Sequence, residues 1–408
     1  MSDNNYQLIV VGMGLSGLMA AMTAAQAGKR VLIIGKGMGS LCLFSNSIDL
    51  LCSLKGEDVY EGIRVWVSDH PNHPYAKAGA DRIVEALSAF CSLFPLPYTF
   101  AAVGSGSCKV PTGAGTYRPT YLLPSTMTSG VGITKGGVIV GVEHFRDFSA
   151  LQAAKGLKVR GAVVSLGAHI AQDLTPLALA RLVEQPTFRA AFAKEVRKQI
   201  SGEDRVGLPA LLGLRNPGRV KEEMENVIGA EVFEMPLLPP SVPGIRIFNR
   251  FKACLDQQRN VTFLLGPSVE TAIVEGHRCA GIRVVNAPVS ALYTADSYVL
   301  ATGRFLSGGL VASRESIREP VFDFPVAQPQ GRDDWFSPSF FEDSHLLNEA
   351  GIRVDSHFRP VDAEGRVILE NVRIAGSILA YHNSIEEGSR EGISLSTGYA
   401  ASREAVES

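Results

Sequence analysis

The chain opens on Leu8-Ile-Val-Val-Gly-Met-Gly-Leu-Ser-Gly17, and this run limits its fold more than any other segment. Four apolar residues read as a buried parallel strand. Gly12, Gly14 and Gly17 then give G-x-G-x-x-G at a strand-to-helix turn. In that motif the first glycine makes the tight turn, the second lets the backbone approach a pyrophosphate, and the third lets helix and strand pack closely. A helix is expected over Leu18 to Ala27, ended by Gly28, and a second strand over Lys29 to Ile34. Framed by two strands, the glycines mark a nucleotide-cofactor site and not merely a glycine-rich turn. One element of the pattern is missing. About 20 residues beyond the glycines an acidic side chain normally holds the adenosine ribose. Here that place is taken by Gly35, with Lys36 after it, and Asp49 lies too far along to replace it. Phosphate binding is expected all the same. Lys36 is either a contact to an extra phosphate or a solvated surface lysine.

The 408 residues suffice for two or three domains. A net charge of −2 gives no basic face for nucleic acid. The six cysteines, at 42, 52, 91, 108, 254 and 279, have no C-x-x-C spacing, so neither a zinc site nor an iron–sulfur cluster is expected. His70 and His73 sit three apart in a proline-broken loop, too weak a pattern for a metal pair. The polar stretch Met1 to Gln7 lacks a basic n-region, so a cytoplasmic chain is expected.

A second glycine-rich turn, Gly35 to Ser40, leads into Phe44-Ser-Asn-Ser-Ile-Asp-Leu-Leu51. Ser45 and Ser47 are read either as donors to a phosphate or flavin edge, or as caps of a helix beginning near Ile48. From 55 to 243 the pattern changes. A helix over Asp81 to Phe90 is followed by a Pro/Gly-rich region of short strands, Phe94 to Gly132. A strand over Gly137 to Val142, a helix near Phe148 to Lys155, a strand over Val159 to Leu166 and a helical stretch from Leu174 to Ile200 follow. This reads as an α/β domain inserted into a discontinuous flavin-binding domain of residues 1–54, 244–330 and 360–408. Within the latter, a helix over Ile245 to Gln258 precedes strands at Val261 to Leu265, Val269 to Val274 and Cys279 to Val284. Ser297-Tyr-Val-Leu-Ala-Thr-Gly303 then delivers Thr302 and Gly303 to the cofactor. That order belongs to Rossmann-like flavoproteins with two dinucleotide domains, and moves the reading from nicotinamide to flavin. Val367 to Ser377 is expected to deliver Gly376 and Ser377. Gly388 starts a last helix over Glu387 to Ala401, either with its N-terminus aimed at the flavin pyrimidine edge or as an ordinary amphipathic closing helix.

Several segments resemble the B subunit family of bacterial anaerobic glycerol-3-phosphate dehydrogenases. They are Leu238 to Arg246, Arg304 to Pro320, Phe44 to Leu51, His73-Pro-Tyr75 and Gly376-Ser377, so the likeness spans nearly the whole chain. Ser-Gly-Gly-Leu-Val-Ala (307–312) and Ile-Arg-Glu-Pro (317–320) are its specific parts. The resemblance implies a flavoprotein subunit, usually assigned FMN, with FAD as the alternative that an intact pyrophosphate motif favours. It implies a FAD-containing A subunit and an iron–sulfur C subunit that attaches the assembly to the cytoplasmic membrane. Together these oxidise sn-glycerol 3-phosphate to dihydroxyacetone phosphate and pass electrons to quinone. The chain departs from the family at Ser389, Arg390 and Glu391, where members are more glycine-rich.

No residue stands out as the catalytic base; His382 is the nearest candidate. Arg304, Arg314 and Arg318 lie close in sequence and are read as structural or interface residues, with phosphate binding the alternative. Two other readings remain: a self-sufficient FAD oxidoreductase of the fumarate-reductase-like class, and a scaffold that has lost flavin.

Overall fold

The computed structural model describes residues 5–45, 47–54, 58–134, 136–167, 174–286, 291–339 and 344–407. The residues before Asn5, and Asn46 within the Phe44 to Leu51 segment, lie outside that set. The chain divides into two compact units: 1–40 with 53–93 and 250–408, and 41–52 with 94–249.

The first unit begins with β1 (Asn5–Val11), α1 (Leu15–Gln26) and β2 (Val31–Gly35). Leu8 to Val11 and Val31 to Ile34 are all buried, as expected of parallel strands covered on both faces. Helix α1 starts three residues earlier than the sequence indicates, because Gly14 already takes the N-cap position. It gives way to Gly28, which has the left-handed backbone common after helix ends (φ 77°). No helix begins near Ile48, which instead makes an isolated antiparallel bridge with Leu122. The cap reading of Ser45 and Ser47 is thereby replaced. Three helices follow: α2 (Val59–Asp69), α3 (Pro74–Ala78) and α4 (Ala80–Ser92). Asp58 caps α2 by accepting the Glu61 N–H at 2.9 Å. Residues 53–93 thus belong to the first unit and not to the insertion. The buried Ile83, Ala86, Leu87 and Phe90 of α4 form one apolar stripe, with the Phe90 ring 6.2 Å from that of Phe251.

The second unit carries two small antiparallel pairs and a parallel sheet. Strand β3 (Phe100–Ala102) pairs with β6 (Leu122–Pro124), and β4 (Cys108–Pro111) with β5 (Tyr117–Thr120). Then come β7 (Gly137–Val142), α5 (Ala150–Leu157), β8 (Arg160–Val164), α6 (Pro176–Val183), α7 (Pro186–Arg197), β9 (Arg205–Pro209), α8 (Pro217–Ile228) and β10 (Glu231–Met235). The sheet order is β10-β9-β7-β8, all parallel. Its helical connections are the βαβ crossovers that parallel strands require. The helical stretch expected from Leu174 to Ile200 is two helices, divided at Pro186, which sits in the first turn of α7.

Helix α9 (Val242–Asp256) leads back into the first unit. There β11 (Val261–Leu265), β12 (Ser268–Glu275), β13 (Arg278–Val285) and β14 (Ala291–Leu300) are followed by the short pairs β15 (Val311–Ala312) with β16 (Ile317–Arg318) and β17 (Val326–Ala327) with β18 (Gly351–Ile352). The chain ends in β19 (Val372–Ile374), α10 (Ser384–Glu387) and α11 (Arg390–Glu407). The main sheet has the order β11-β2-β1-β14-β13-β12, with β19 also beside β14. Strands β11, β2, β1, β14 and β19 are parallel; β12 and β13 form the antiparallel flap.

Candidate functional site

The register of the parallel strands builds the site. Val11 lies opposite both Ile34 and Leu300, and Leu300 opposite Ile374. The next residues in each strand's direction, Gly12, Gly35, Ala301 and Ala375, therefore come out side by side at the carboxyl edge, where open α/β sheets bind ligands. Hydrogen bonds hold the chain up to that edge: Gly12 N–H to Ile34 O (2.7 Å), Ala301 N–H to Val11 O (2.8 Å) and Ala375 N–H to Leu300 O (3.0 Å). The strands are buried, whereas Gly12, Gly14, Gly35, Thr302, Gly303 and Ser377 are partly open to solvent.

This edge fits a flavin phosphate. Gly12 has φ 115°, and a Cβ there would lie 2.2 Å from Ala301 O, so only glycine makes the turn. A Cβ at Gly14 would meet nothing within 4 Å, which leaves space beside the loop. Helix α1 has no side-chain cap and no acid in its first turn. Its N-terminal N–H groups and positive dipole end are left for an anion. Thr302 Oγ1, at the end of β14, is buried with no hydrogen-bond partner. A cofactor there would be held by Gly12, Gly14, Thr302, Gly303 and Ser377 together with the first turn of α1. The missing ribose acid has a physical counterpart: a Cβ at Gly35 would fall 2.8 Å from Met13 Cγ, so the Met13 side chain occupies the place a carboxylate would start from. Lys36 is exposed just beyond.

Other expected contacts are placed differently. Gly17 packs α1 onto the turn, its Cβ position 2.0 Å from Gly12 O. Gly376 is buried against Ser16, and its N–H already donates to Thr397 Oγ1 at 2.8 Å. Gly388 closes the short α10 in a left-handed conformation, and α11 starts two residues later. At that start, Glu391 is buried and Glu387 accepts the Ser389 hydroxyl at 2.7 Å. Two carboxylates already accompany this helix end, which leaves little of its field for an anionic ring. Nor is α11 amphipathic; it is buried along most of its length, with Ser402 Oγ donating to Ala20 O of α1 at 2.8 Å. Ser45 and Ser47 belong to the second unit. There Arg118 donates to Ser45 and to the carboxylate of buried Asp49, and to Ser47 at 3.2 Å.

Beside the strand ends lies a polar cluster that the sequence did not reveal. His73 Nδ1 accepts the Tyr75 N–H at 3.1 Å, so its hydrogen is on Nε2, which faces Glu387 at 3.2 Å. His73 therefore caps α3 and positions Glu387. His70 stacks on Trp66, with centroids 3.8 Å apart. Among the described residues, no group of three His, Cys, Asp or Glu side chains has metal-site geometry. Arg314 and Arg318 are exposed at the β15–β16 hairpin, while Arg304 turns inward. Glu319 accepts the N–H groups of Val321 (2.8 Å) and Phe322 (2.7 Å). Ser307, in the Ser-Gly-Gly segment, ties back to Thr302 O at 2.5 Å.

His382 is 1% exposed, and its Nε2 lies 3.2 Å from Arg304 Nη2. Arginine only donates, so Nε2 accepts and Nδ1 carries the hydrogen. Burial, then Arg304 and His73, hold this imidazole well below its ordinary range; the Ser377 carbonyl pulls the other way. The neutral ring is a poor base, which corrects the expectation for His382. Unfolded, it takes up a proton below about pH 6.5; folded, it does not. Stability is thus expected to fall as pH drops below that value, by up to about 1.4 kcal/mol per pH unit. Melting curves between pH 7.5 and 5 should show this decline, and His382→Gln should flatten it. Equal slopes would mean that His382 protonates in the native state. Burial pushes Glu387 up, but hydrogen bonds from His73, Ser389 and the Asn383 N–H leave it below its usual value. Its own contribution is lost only at more acid pH.

A glycine turn at the strand ends with an uncapped helix behind it defines a dinucleotide-binding α/β protein. The FAD binding domain family matches residues 7–390, and the chain belongs to that family. Within it the chain belongs to the B subunit family of anaerobic glycerol-3-phosphate dehydrogenases. A Halobacterium salinarum protein, named as the probable B subunit of an anaerobic glycerol-3-phosphate dehydrogenase, is 31% identical over 431 aligned positions, covering 98% of each chain. The Aliivibrio fischeri B subunit of the same name is 28% identical, over 99% of this chain and 96% of its own. Among solved structures, a flavocytochrome c3 fumarate reductase in an open conformation aligns at a TM-score of 0.46 with 8% identity, covering 99% of this chain and 78% of that one. No helix among the described residues is long and apolar enough to cross a membrane.

Proposed function

We propose that this chain is the flavin-bearing B subunit of a quinone-linked anaerobic sn-glycerol-3-phosphate dehydrogenase, oxidising glycerol 3-phosphate to dihydroxyacetone phosphate. Its partners in this reading are a FAD-containing A subunit and an iron–sulfur C subunit, the latter holding the assembly to the inner face of the cytoplasmic membrane. The observation that carries the reading is the side-by-side exit of Gly12, Gly35, Ala301 and Ala375, with α1 uncapped behind them, in a chain whose curated relatives are named as this subunit. The flavin supplies a two-electron acceptor when bound. The chain's own residues supply the phosphate cradle.

FMN is the first choice of flavin, because Met13 and Gly35 leave no carboxylate for an adenosine ribose. FAD is the second, favoured by a family match that spans residues 7–390. The test is to purify the chain, release its chromophore and identify it by chromatography. FMN is expected. FAD would show that the cradle holds a pyrophosphate without the ribose acid. A colourless chain that takes up neither flavin would overturn the proposal in favour of a scaffold.

A further inference from the structure

Arg304, two residues beyond Thr302, is a largely buried cation with no carboxylate bonded to it. Its guanidinium donates to the carbonyls of Asn348, Leu379 (3.0 Å) and His382 (3.1 Å) and to His382 Nε2 (3.2 Å). Every one of those acceptors is neutral. Its Nε–H is buried with no partner. Burial pushes the group down to about 10, against the more distant Glu387 and Glu349, so it stays charged at neutral pH. Next to it, the buried His382 Nδ1–H faces the Ser377 carbonyl, on the side of the ring away from Arg304. Asn383 Oδ1, one residue on, is buried and unpaired as well.

A buried cation matched only by neutral acceptors is costly unless something negative joins it. The orphaned Arg304 Nε–H has the same requirement. Thr302, Gly303, Arg304 and Ser377 are partly open to solvent, so the guanidinium, unlike His382, has an open side next to the strand ends. We infer that Arg304, held in place by His382, forms an anion-receiving site that takes the phosphate of a small phosphate monoester, placing the polyol substrate on this chain beside its flavin cradle. The inference rests on the flavin-subunit reading above. In it the imidazole accepts from the guanidinium and positions it, and does not remove a proton from the substrate. Asn383 Oδ1 is left to accept a hydroxyl of the same ligand.

The test is calorimetric titration of the flavin-loaded chain with sn-glycerol 3-phosphate, glycerol and inorganic phosphate. Glycerol 3-phosphate is expected to bind, with inorganic phosphate competing and glycerol silent. Arg304→Gln should weaken glycerol 3-phosphate on the order of 10–100-fold, as loss of a charge-assisted contact does. Because Arg304 also ties three chain segments together, Arg304→Lys and His382→Gln are measured beside it; both should weaken binding with flavin content and melting retained. Three results would overturn the site: a wild-type chain that holds flavin but binds no glycerol 3-phosphate, variants within about twofold of wild type, or variants that lose flavin while keeping phosphate affinity. A wild-type chain that takes up no flavin would instead overturn the reading beneath it.

Discussion

Replacing Glu234 by alanine is expected to lower the stability of the second unit by about 3–5 kcal/mol, the usual effect of removing one member of a buried ion pair. Both partners are almost wholly inaccessible: Glu234 is 1% exposed and Arg246 3%. The pair is bidentate, Arg246 Nη1 to Oε2 at 2.6 Å and Nη2 to Oε1 at 2.7 Å. Glu234 also accepts the Leu212 N–H at 2.7 Å, and Arg246 Nε donates to Gly213 O at 2.7 Å. The chain after β9 and the strand β10 are therefore joined through one carboxylate to the first turns of α9. The Tyr98 ring lies 5.7 Å from the guanidinium carbon. In Glu234→Ala the guanidinium keeps its charge but has only neutral partners left. Glu234→Gln keeps the shape and the Leu212 contact, and is expected to cost less. The informative control is Glu234→Leu with Arg246→Met. Packing of similar volume without charge is often neutral or stabilising where single removals are severe. Denaturant titration separates these cases. A single variant that melts with the wild type would show that water reaches the pair.

The same carboxylate explains part of what the sequence concealed. Strand β10 reads Glu-Val-Phe-Glu-Met, and its buried Glu234 interrupts the apolar run by which a parallel strand is normally recognised. Strand β9 ends at Pro209 and contains Gly207, two residues that speak against a strand. Neither strand is legible in the sequence, and nor is α8 between them. Strand β7 carries no such interruption; its six residues are buried throughout, and its bounds are legible. The first β-α-β unit is legible for the same reason, and so is the cofactor edge, because glycine spacing records backbone geometry directly. The Arg304–His382 and His73–Glu387 contacts are not. They join residues up to 314 positions apart, and no local periodicity carries that information. The one local signal is His73 ahead of Pro74, the position of a helix cap with proline in the first turn.

The second large effect is expected at the glycine turn, where two neighbouring substitutions should separate folding from cofactor binding. Gly12→Ala asks alanine to adopt φ 115°, at a backbone cost on the order of 1–3 kcal/mol. It also places a methyl group 2.2 Å from Ala301 O and 2.7 Å from Ala301 C, backbone atoms fixed by the hydrogen bond from Ala301 N–H to Val11 O. Neither can move without parting β1 from β14. The variant should melt well below wild type and hold no flavin. Gly14→Ala differs in kind. Its backbone is extended, at φ −73° and ψ −178°, and its Cβ meets no protein atom within 4 Å. The melting temperature of the flavin-free protein should therefore stay close to wild type. The methyl group instead occupies the space through which a flavin phosphate reaches the first turn of α1, so flavin content should drop at least tenfold. Flavin absorbance measured against protein concentration, with melting of the flavin-stripped proteins, reads both effects. Full flavin content in Gly14→Ala would place the phosphate away from this loop.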